Sequence, residues 1–336
     1  MDALLNGIKR NNFLVIGRVG MDAFPHPPGS SIEDADTLHV DMGGSSANIA
    51  VGIVKLGGQS ALVTKVSDDA VGRFCVKKLK AFGVDDRYVH TVSGPGAREF
   101  RNSLAIYESR VEDHQSVIYR NGVADIQMDV ADVDAVDFAP YGSVVTAGTV
   151  FAAEPSRTAS FHAFEKAKSL GIPIIFDIDY RPYSWPSPEV ASDVLSRAGA
   201  MSDMIVGNDE EFGFMAGGIE KGLDMARHLA RTSASLVIYK MGHEGSIAIT
   251  ADTETRHGVF KVDALKPTGA GDSFMAGLLA GLAEGRELTE AIARGSACAA
   301  IVVGKPGCAP SMPYPAELDD FLNDHEGMAL PSNEGG

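Results

Sequence analysis

The sequence predicts an α/β protein in which helices cover both faces of a mainly parallel β-sheet. Short apolar, β-branched runs alternate with longer stretches of helical periodicity, which is typical of parallel sheets. The runs are almost entirely apolar, as strands must be when helices cover the sheet on both sides. The predicted strands occupy residues 13–16, 61–66, 144–146, 172–176, 204–206 and 236–239, and the helices between them residues 46–56, 71–82, 156–170, 188–197 and 223–231.

Two stretches interrupt this alternation near the start of the chain. Residues 21–41 are rich in proline, glycine and acidic residues, and residues 101–120 predict antiparallel strands at 102–108 and 115–120, joined at 111–113. We expect them to form a small β appendage, inserted at about residues 20–43 and 97–125 and packed over the sheet edge. Further strands are expected between residues 245 and 262, followed by helices at 271–283, 289–302 and 315–323. One domain is thus predicted over residues 12–325, with a flexible tail at 326–336.

The composition excludes several classes of protein. Apolar residues make up 45% of the 336-residue chain and charged residues 22%, so a full core can form and disorder is not expected. With 45 acidic and 29 basic residues the net charge is −16, which disfavours nucleic acid or an anionic membrane as a partner. The three cysteines have no C-x-x-C spacing, and we see no signal peptide or membrane-spanning run. A cytoplasmic protein without disulfides or structural zinc is expected.

The segment KPTGAGDSF at residues 266–274 is the strongest chemical feature. Gly269 and Gly271 allow a tight turn with outward-pointing N–H groups, and a helix follows at once, so turn and helix together predict an anion-binding site. Asp272 in the first helical turn could accept a proton from a substrate hydroxyl beside that site. The alternative is a capped helix after a glycine turn, with Asp272 only favouring the helix dipole.

A second glycine segment, GGSSAN at residues 43–48, opens an earlier helix. Paired glycines allow backbone N–H groups to approach a ligand closely, and the Asn48 amide lies one turn further on. The alternative is a plain glycine turn followed by a serine N-cap.

Polar residues follow several predicted strands, where open α/β sheets bind their ligands. We therefore expect these residues to converge on one site. They are Asp22, Asp177, Asp179, Arg181, Asn208, Glu211, Lys240 and Gly242. No G-x-x-x-x-G-K-[ST] motif is present, and Phe274 replaces the third glycine of G-x-G-x-x-G, which argues against P-loop and dinucleotide-binding proteins.

The segments GGSSAN and TGAGDSF resemble the two signatures of the ribokinase-like (pfkB) carbohydrate kinases, over residues 13–322. The resemblance implies a three-layer α/β fold with a mainly parallel central sheet and a small β-sheet lid. Such a lid closes over the sugar and often forms a dimer contact. The segments DIDYRP at 177–182 with Trp185, YRN at 119–121 and GCAPSMP at 307–313 are similar to a subgroup that acts on sugar acids.

The resemblance also implies a role for each matching residue, with Asp272 as general base. The implied anion hole is Gly269, Ala270 and Gly271, the sugar contacts Asp22, Gly43, Gly44 and Asn48, and the nucleotide contacts Asn208, Lys240, Gly242, Gly245, Thr268 and Ser296. Asn208 and Glu211 would organise magnesium indirectly, Glu211 through water. Arg120 and Arg181 are the candidates for a substrate carboxylate, the alternative being structural ion pairs. Ser296 stands where the family has asparagine near the adenine.

The expected reaction transfers the γ-phosphoryl group of ATP to a primary hydroxyl of a sugar acid, with Mg²⁺ and a monovalent cation such as K⁺ near the anion hole. A homodimer through the lid is expected. Other sugar, sugar-acid or nucleoside kinases, including a fructokinase or a 2-keto-3-deoxygluconate kinase, remain alternatives. A non-catalytic sugar sensor is disfavoured by Asp272 and its glycine turn, and an NAD-linked oxidoreductase by the missing fingerprint.

Overall fold

Strands and helices alternate through most of the computed structural model, which describes residues 1–110, 113–325 and 327–328. The strands are β1 (Asn12–Ile16), β2 (Gly20–His26), β3 (Thr37–Gly43), β4 (Gln59–Val66), β5 (Val89–Thr91), β6 (Leu104–Tyr107), β7 (Ser116–Tyr119), β8 (Ser143–Ala147), β9 (Ile174–Asp177), β10 (Met204–Asn208), β11 (Leu236–Lys240), β12 (Ser246–Ile249) and β13 (Glu254–His257). The helices are α1 (Asp2–Ile8), α2 (Ser45–Lys55), α3 (Ala70–Phe82), α4 (Val130–Asp134), α5 (Ser156–Ser169), α6 (Pro188–Ala200), α7 (Asp209–Met215), α8 (Gly222–Thr232), α9 (Ala270–Ala283), α10 (Leu288–Val303) and α11 (Pro315–Asp324).

The larger sheet has the strand order β13-β12-β11-β10-β9-β8-β1-β4-β5. Its strands run parallel from β11 through β5, and only β12 and β13 pair in antiparallel fashion at one edge. The carboxyl ends of the parallel strands therefore lie along one edge of the sheet. This arrangement confirms the predicted mainly parallel sheet.

Two apolar cores lie on opposite faces of this sheet because successive side chains of a strand alternate between faces. In β1, Phe13 and Val15 belong to the core under α1–α3 and α9–α11, whereas Leu14 and Ile16 belong to the core under α4–α8. The molecule thus has three layers, helices over sheet over helices, as predicted.

A second sheet has the order β3-β2-β6-β7 and contains strands from both of the predicted insertions. In it β2 pairs antiparallel with β3 and parallel with β6, and β6 pairs antiparallel with β7. Helix α3 packs against it, with Lys78 Nζ 3.1 Å from Asp41 Oδ1. The predicted small β-sheet is confirmed, while residues 111 and 112 of its predicted turn lie outside the described residues.

A helix lies before residue 12, where the sequence predicts the domain to start. This is helix α1, and its Leu4 and Ile8 side chains are buried in the first core. At seven residues α1 has too few turns for its apolar periodicity to stand out. Helices α4 and α7, also short, were not predicted either. The predicted tail lies outside the described residues, except for 327 and 328. None of the described helices is long and apolar enough to cross a lipid bilayer.

Candidate active site

A cavity of about 1140 Å³ lies between the second sheet and the carboxyl ends of β9, β10 and β11. Tyr107 and Ile118 line it from the second sheet, and Asp177, Asn208 and Lys240 from the ends of the three strands. This is the edge at which open α/β sheets bind ligands, and the volume suits a nucleotide together with a sugar.

The structure brings most of the predicted site residues into this one cavity. Those that line it are Asp22, Gly44, Asn48, Arg181, Asn208, Glu211, Lys240, Gly242, Gly245, Thr268, Gly269, Ala270, Gly271, Asp272 and Ser296. Gly43 and Arg120 are not among the residues that line it.

The loop before α9 presents a helix N-terminus to the cavity. Gly269 is the N-cap residue, with φ of +86°, and a β-carbon there would come within 3.0 Å of the Cys308 Sγ. The first N–H groups of a helix have no intrahelical acceptor, and the helix dipole adds partial positive charge at this end. A β-carbon on Gly271 would lie 3.4 Å from Lys240 Nζ, so the ammonium group stands beside the same loop. Loop and lysine together can hold an anion such as a phosphate.

Asp272 lies in the first turn of α9 and lines the cavity. Its Oδ2 accepts a hydrogen bond from Asn48 Nδ2 at 2.8 Å, which links α9 to α2. Burial, reinforced by the nearby Asp179 carboxylate and opposed by Asn48, Arg181 and Arg18, raises the pKa of Asp272 to about 6. A carboxylate with this pKa, next to a loop that can hold an anion, is suited to accept a proton near neutral pH.

Asp22 and Asn48 form the neighbouring wall of the cavity. Asp22 is 3% exposed, and burial raises its pKa to about 7, although the positive charge of Arg18 opposes the shift. A β-carbon at Gly43 would overlap the Asp22 carboxylate, so glycine is needed there although it does not line the cavity. Among the described residues the Asn48 Oδ1 has no hydrogen-bond partner, which leaves it free to accept from a ligand hydroxyl.

Asp179 holds Arg181 at the mouth of the cavity. The backbone of Asp179 has φ of +35°, a strained conformation that is often found at functional sites. Its Oδ2 accepts from Ser45 Oγ at 2.6 Å, and its Oδ1 lies 2.8 Å from Arg181 Nη2. Arg181 also donates to the Tyr180 carbonyl at 2.9 Å. Arg181 therefore lines the cavity with part of its donor capacity already used.

Arg120 forms a structural ion pair, the alternative kept for it in the sequence analysis, whereas Arg18 lines the cavity. The side chain of Arg120 is buried and donates to Asp125 Oδ2 at 2.6 Å and to the Thr149 carbonyl at 3.0 Å, away from the cavity lining. Arg18, which the sequence analysis did not select, lines the cavity and is 6% exposed. Its Nη1 lies 3.5 Å from Ser103 Oγ, and its Nε has no partner among the described residues. Because Arg18 follows β1 by two residues, the strand-end rule could have identified it.

Asn208 and Glu211 form a capping box at the start of α7. Asn208 Oδ1 accepts from the Glu211 backbone N–H at 2.7 Å, and Glu211 Oε2 accepts from the Asn208 N–H at 2.8 Å. Glu211 Oε1 also accepts from the Tyr180 N–H at 3.2 Å, and each carboxylate oxygen keeps a lone pair for water. Next to them, burial raises the pKa of Asp177 to about 8.

The described residues contain no group of three His, Cys, Asp or Glu side chains placed to hold a metal ion by themselves. Mg²⁺ in phosphoryl-transfer sites usually keeps several waters and binds substrate phosphates, with one or two protein carboxylates. The fixed Glu211 carboxylate fits such an indirect contact.

The far end of the cavity is largely apolar. Val259, Phe260 and Val262 line it on one side, and residues of α10 on the other. Ser296 lies on the α10 side and is 8% exposed, so its small hydroxyl stands where the family resemblance predicts an asparagine amide. An apolar slot next to the loop that precedes α9 is suited to a flat heterocycle such as adenine.

Comparison with known proteins agrees with this geometry. A profile described as pfkB family carbohydrate kinase matches residues 10–315. A protein of Geobacillus kaustophilus named 5-dehydro-2-deoxygluconokinase is 34% identical over 319 residues, covering 94% of each chain. A protein of the same name from Photobacterium profundum is 34% identical, covering 93% of this chain and 95% of its own.

Two solved structures show the same fold. A double mutant of Vibrio cholerae fructokinase with fructose, ADP and potassium bound has a TM-score of 0.80 at 24% identity, covering 93% of this chain and 98% of its own. Aminoimidazole riboside kinase from Salmonella enterica has a TM-score of 0.76 at 23% identity, covering 93% and 99%. The chain belongs to the pfkB family of carbohydrate kinases and is a phosphotransferase that acts on a sugar hydroxyl group.

Proposed function

We propose that this kinase transfers the γ-phosphoryl group of ATP to a primary hydroxyl of a sugar acid, with 5-dehydro-2-deoxy-D-gluconate, giving its 6-phosphate, as the first candidate. The names of the two relatives at 34% identity support this substrate. The observation that carries the proposal is the unpaired guanidinium of Arg18 in the cavity wall, among the residues that the structure describes.

A buried charge without a partner is costly unless a ligand completes it. Arg18 is 6% exposed and forms no ion pair with the described residues, and its one side-chain hydrogen bond to them is long, 3.5 Å to Ser103 Oγ. Burial lowers the pKa of Arg18, but the neighbouring acidic groups Tyr107, Asp179 and Asp125 together raise it above its ordinary value, so the guanidinium stays protonated. A substrate carboxylate would supply the missing partner, and a guanidinium can bind it through two parallel hydrogen bonds.

Arg181 is the second proposed contact for the substrate carboxylate, at the edge of the cavity. Its Asp179 partner already offsets part of its charge, so we expect Arg181 to bind the substrate carboxylate more weakly than Arg18 does. Arg120 belongs to the Asp125 pair in the structure, and we propose that it supports the wall behind Arg18 rather than touching the substrate.

Asp272 would take the proton of the attacking hydroxyl, which the Asp22 carboxylate and the Asn48 amide oxygen orient. The N–H groups of Gly269, Ala270 and Gly271 would stabilise the charge on the migrating phosphoryl group, as backbone donors do in oxyanion holes. Lys240 stands beside the same loop and would hold the ATP phosphates. Bound Mg²⁺ offsets phosphate charge, and Asn208 and Glu211 would hold its water shell. Thr268, Gly242, Gly245 and Ser296 would lie along the nucleotide.

We also propose that the second sheet is a lid whose outer face forms a homodimer. Its inner face lines the cavity through Tyr107 and Ile118. On its outer face Val40, Ala23, Ile106 and Val117 form a cross-strand row in which Val40 and Val117 are exposed and Ala23 is buried. Four apolar side chains of this sheet are strongly exposed, namely Leu38 at 43%, Val40 at 41%, Val117 at 40% and Tyr119 at 58%. A second copy is the occupant that would bury this exposed apolar patch on both subunits through two-fold symmetry.

The test is ADP release across a panel of acceptors at saturating ATP and Mg²⁺. The panel contains 5-dehydro-2-deoxygluconate, 2-keto-3-deoxygluconate, fructose and a nucleoside. We expect kcat/KM for a sugar acid to exceed that for fructose by at least about 100-fold, the discrimination expected when a buried charged group loses its partner. A preference for fructose or the nucleoside would reject the sugar-acid proposal while leaving the kinase family intact.

A further inference from the structure

Lys266 lies behind the anion-binding loop and is completely buried, with 0% exposure. Its Nζ donates to the carbonyl of Thr268 at 2.7 Å and to the carbonyl of Val302 at 3.3 Å. Its backbone N–H donates to the Val303 carbonyl at 3.2 Å. The side chain therefore ties the loop that precedes α9 to the last turn of α10.

A buried ammonium group is expensive, and a methionine or leucine of similar volume would usually be tolerated better. The surroundings of Lys266 offset part of this cost. The two carbonyl oxygens are direct acceptors, and the last turn of α10 adds the negative end of a helix dipole. The carboxylates of Asp22 and Asp272 also favour the charge, although burial lowers the pKa of Lys266 overall. A charge kept at such cost beside a phosphate-binding loop indicates a role for that charge.

We propose that the Lys266 ammonium is a built-in cation for the anion-binding loop, so that the kinase needs no bound monovalent cation. This rests on the proposed function. The family resemblance predicts a potassium ion near the anion hole, but the ammonium group already uses two carbonyl oxygens that such an ion would seek. A second positive charge on the Thr268 carbonyl would be repelled by the first, since like charges in a buried site disfavour each other.

Lys266 would act as a positioning residue through the Thr268 peptide. Because the carbonyl of Thr268 is held by the ammonium, the backbone leading into Gly269 and Ala270 keeps the orientation that presents its N–H groups to the cavity. The charge itself adds to the positive field at the loop, where Lys240 stands on the other side. No bond to the substrate forms or breaks at Lys266.

The first experiment compares wild-type kinetics and melting temperature in K⁺, Na⁺ or tetramethylammonium at equal ionic strength. We expect kcat to stay within about twofold and the melting temperature to stay within about 1 °C across the three salts, since a site already filled gains nothing from binding. A rise of kcat by more than about fivefold with K⁺, or a clear K⁺-specific rise in melting temperature, would overturn the inference.

The second experiment removes the charge. Lys266→Met keeps an unbranched side chain and should lower kcat at least about tenfold. This effect is smaller than the loss of a direct oxyanion donor, because Lys266 acts through the Thr268 peptide and does not contact the migrating group. KM for the sugar should change by less than about threefold, because Lys266 does not line the cavity. Lys168→Met, at an exposed position of α5, is the matched control and should match wild type.

Rescue separates the charge from a purely structural role. In Lys266→Ala, NH₄⁺ or K⁺ can enter the vacated volume, and we expect either to raise kcat at least about fivefold and the melting temperature by at least about 2 °C, whereas tetramethylammonium should do neither. Full activity of Lys266→Met, or the same response of Lys266→Ala to all three cations, would overturn the inference. The melting comparison does not require turnover, so an inactive wild type would reject the proposed function and still leave the inference testable.

Discussion

Replacing Asp272 by asparagine should lower activity and raise stability together. The substitution removes the proposed base, yet the amide oxygen of the new side chain can still accept the 2.8 Å hydrogen bond from Asn48 Nδ2. The fold of α9 and the sugar contacts are therefore expected to survive. We expect kcat to fall by about 10² to 10⁴-fold, the usual contribution of a positioned base, with KM for the sugar within about threefold.

The stability change follows from the sign of the pKa shift. Burial raises the Asp272 pKa to about 6 from its ordinary value of 3.8, so the charged form is disfavoured in the folded state. The folded state therefore loses stability as pH rises from about 4 through about 6, and the loss is constant above that. The difference between a pKa of about 6 and the ordinary value of 3.8 corresponds to about 3 kcal/mol, at about 1.36 kcal/mol per pKa unit. Asp272→Asn should be more stable than wild type by up to that amount at pH 8, with little difference at pH 4.

The assay combines ADP release with urea denaturation at pH 5 and pH 8. Wild-type kcat/KM should fall as pH drops through about 7 and then about 6, because Asp22 and Asp272 are protonated in turn, and the variant should lose the part of this fall that lies near pH 6. Asp252→Asn, at an exposed loop position, is the control and should change neither quantity. A variant with kcat within about threefold of wild type would refute the assignment of Asp272 as the base. A variant destabilised at pH 8 would refute the electrostatic reasoning.

Three further predictions test the walls of the cavity and the lid. Arg18→Met should raise KM for a sugar acid at least about tenfold, the loss of one charge-assisted contact, and leave kcat/KM for fructose within about threefold in steady-state assays. Gly43→Ala places a β-carbon on the Asp22 carboxylate, so KM for the sugar should rise while calorimetry finds ATP affinity unchanged. Tyr119→Lys, on the outer face of the second sheet, should shift sedimentation from dimer to monomer, and an unchanged dimer would reject that interface.

The strand ends were predictable from the sequence because parallel strands finish at the same edge of a sheet. Asn208 and Lys240 end neighbouring strands and are paired in register, so their convergence follows from the alternation of strands and helices alone. The turn at Gly269 and the helix after it were predictable for the same local reason, since glycine spacing and apolar periodicity are both short-range signals.

The surroundings of Arg120 and Arg18 depend on contacts that local sequence patterns do not predict. Ile118 faces the cavity, and a period of two would carry Arg120 to the same side, but β7 ends at Tyr119. Beyond that point the side chain turns to Asp125, a contact that the strand pattern does not encode. Arg18 follows β1 by two residues, so the strand-end rule could place it near the site, but its burial depends on how the second sheet packs over the first. That packing depends on contacts between residues far apart in the sequence, and local sequence patterns do not predict it.

The most direct test of the central claim is the ratio of kcat/KM for 5-dehydro-2-deoxygluconate to that for fructose, measured by ADP release in wild type and in Arg18→Met. Our account predicts a ratio above about 100 in wild type that falls at least about tenfold in the variant, because one guanidinium recognises the carboxylate. A ratio near one in wild type, or a high ratio that Arg18→Met leaves unchanged, would contradict it.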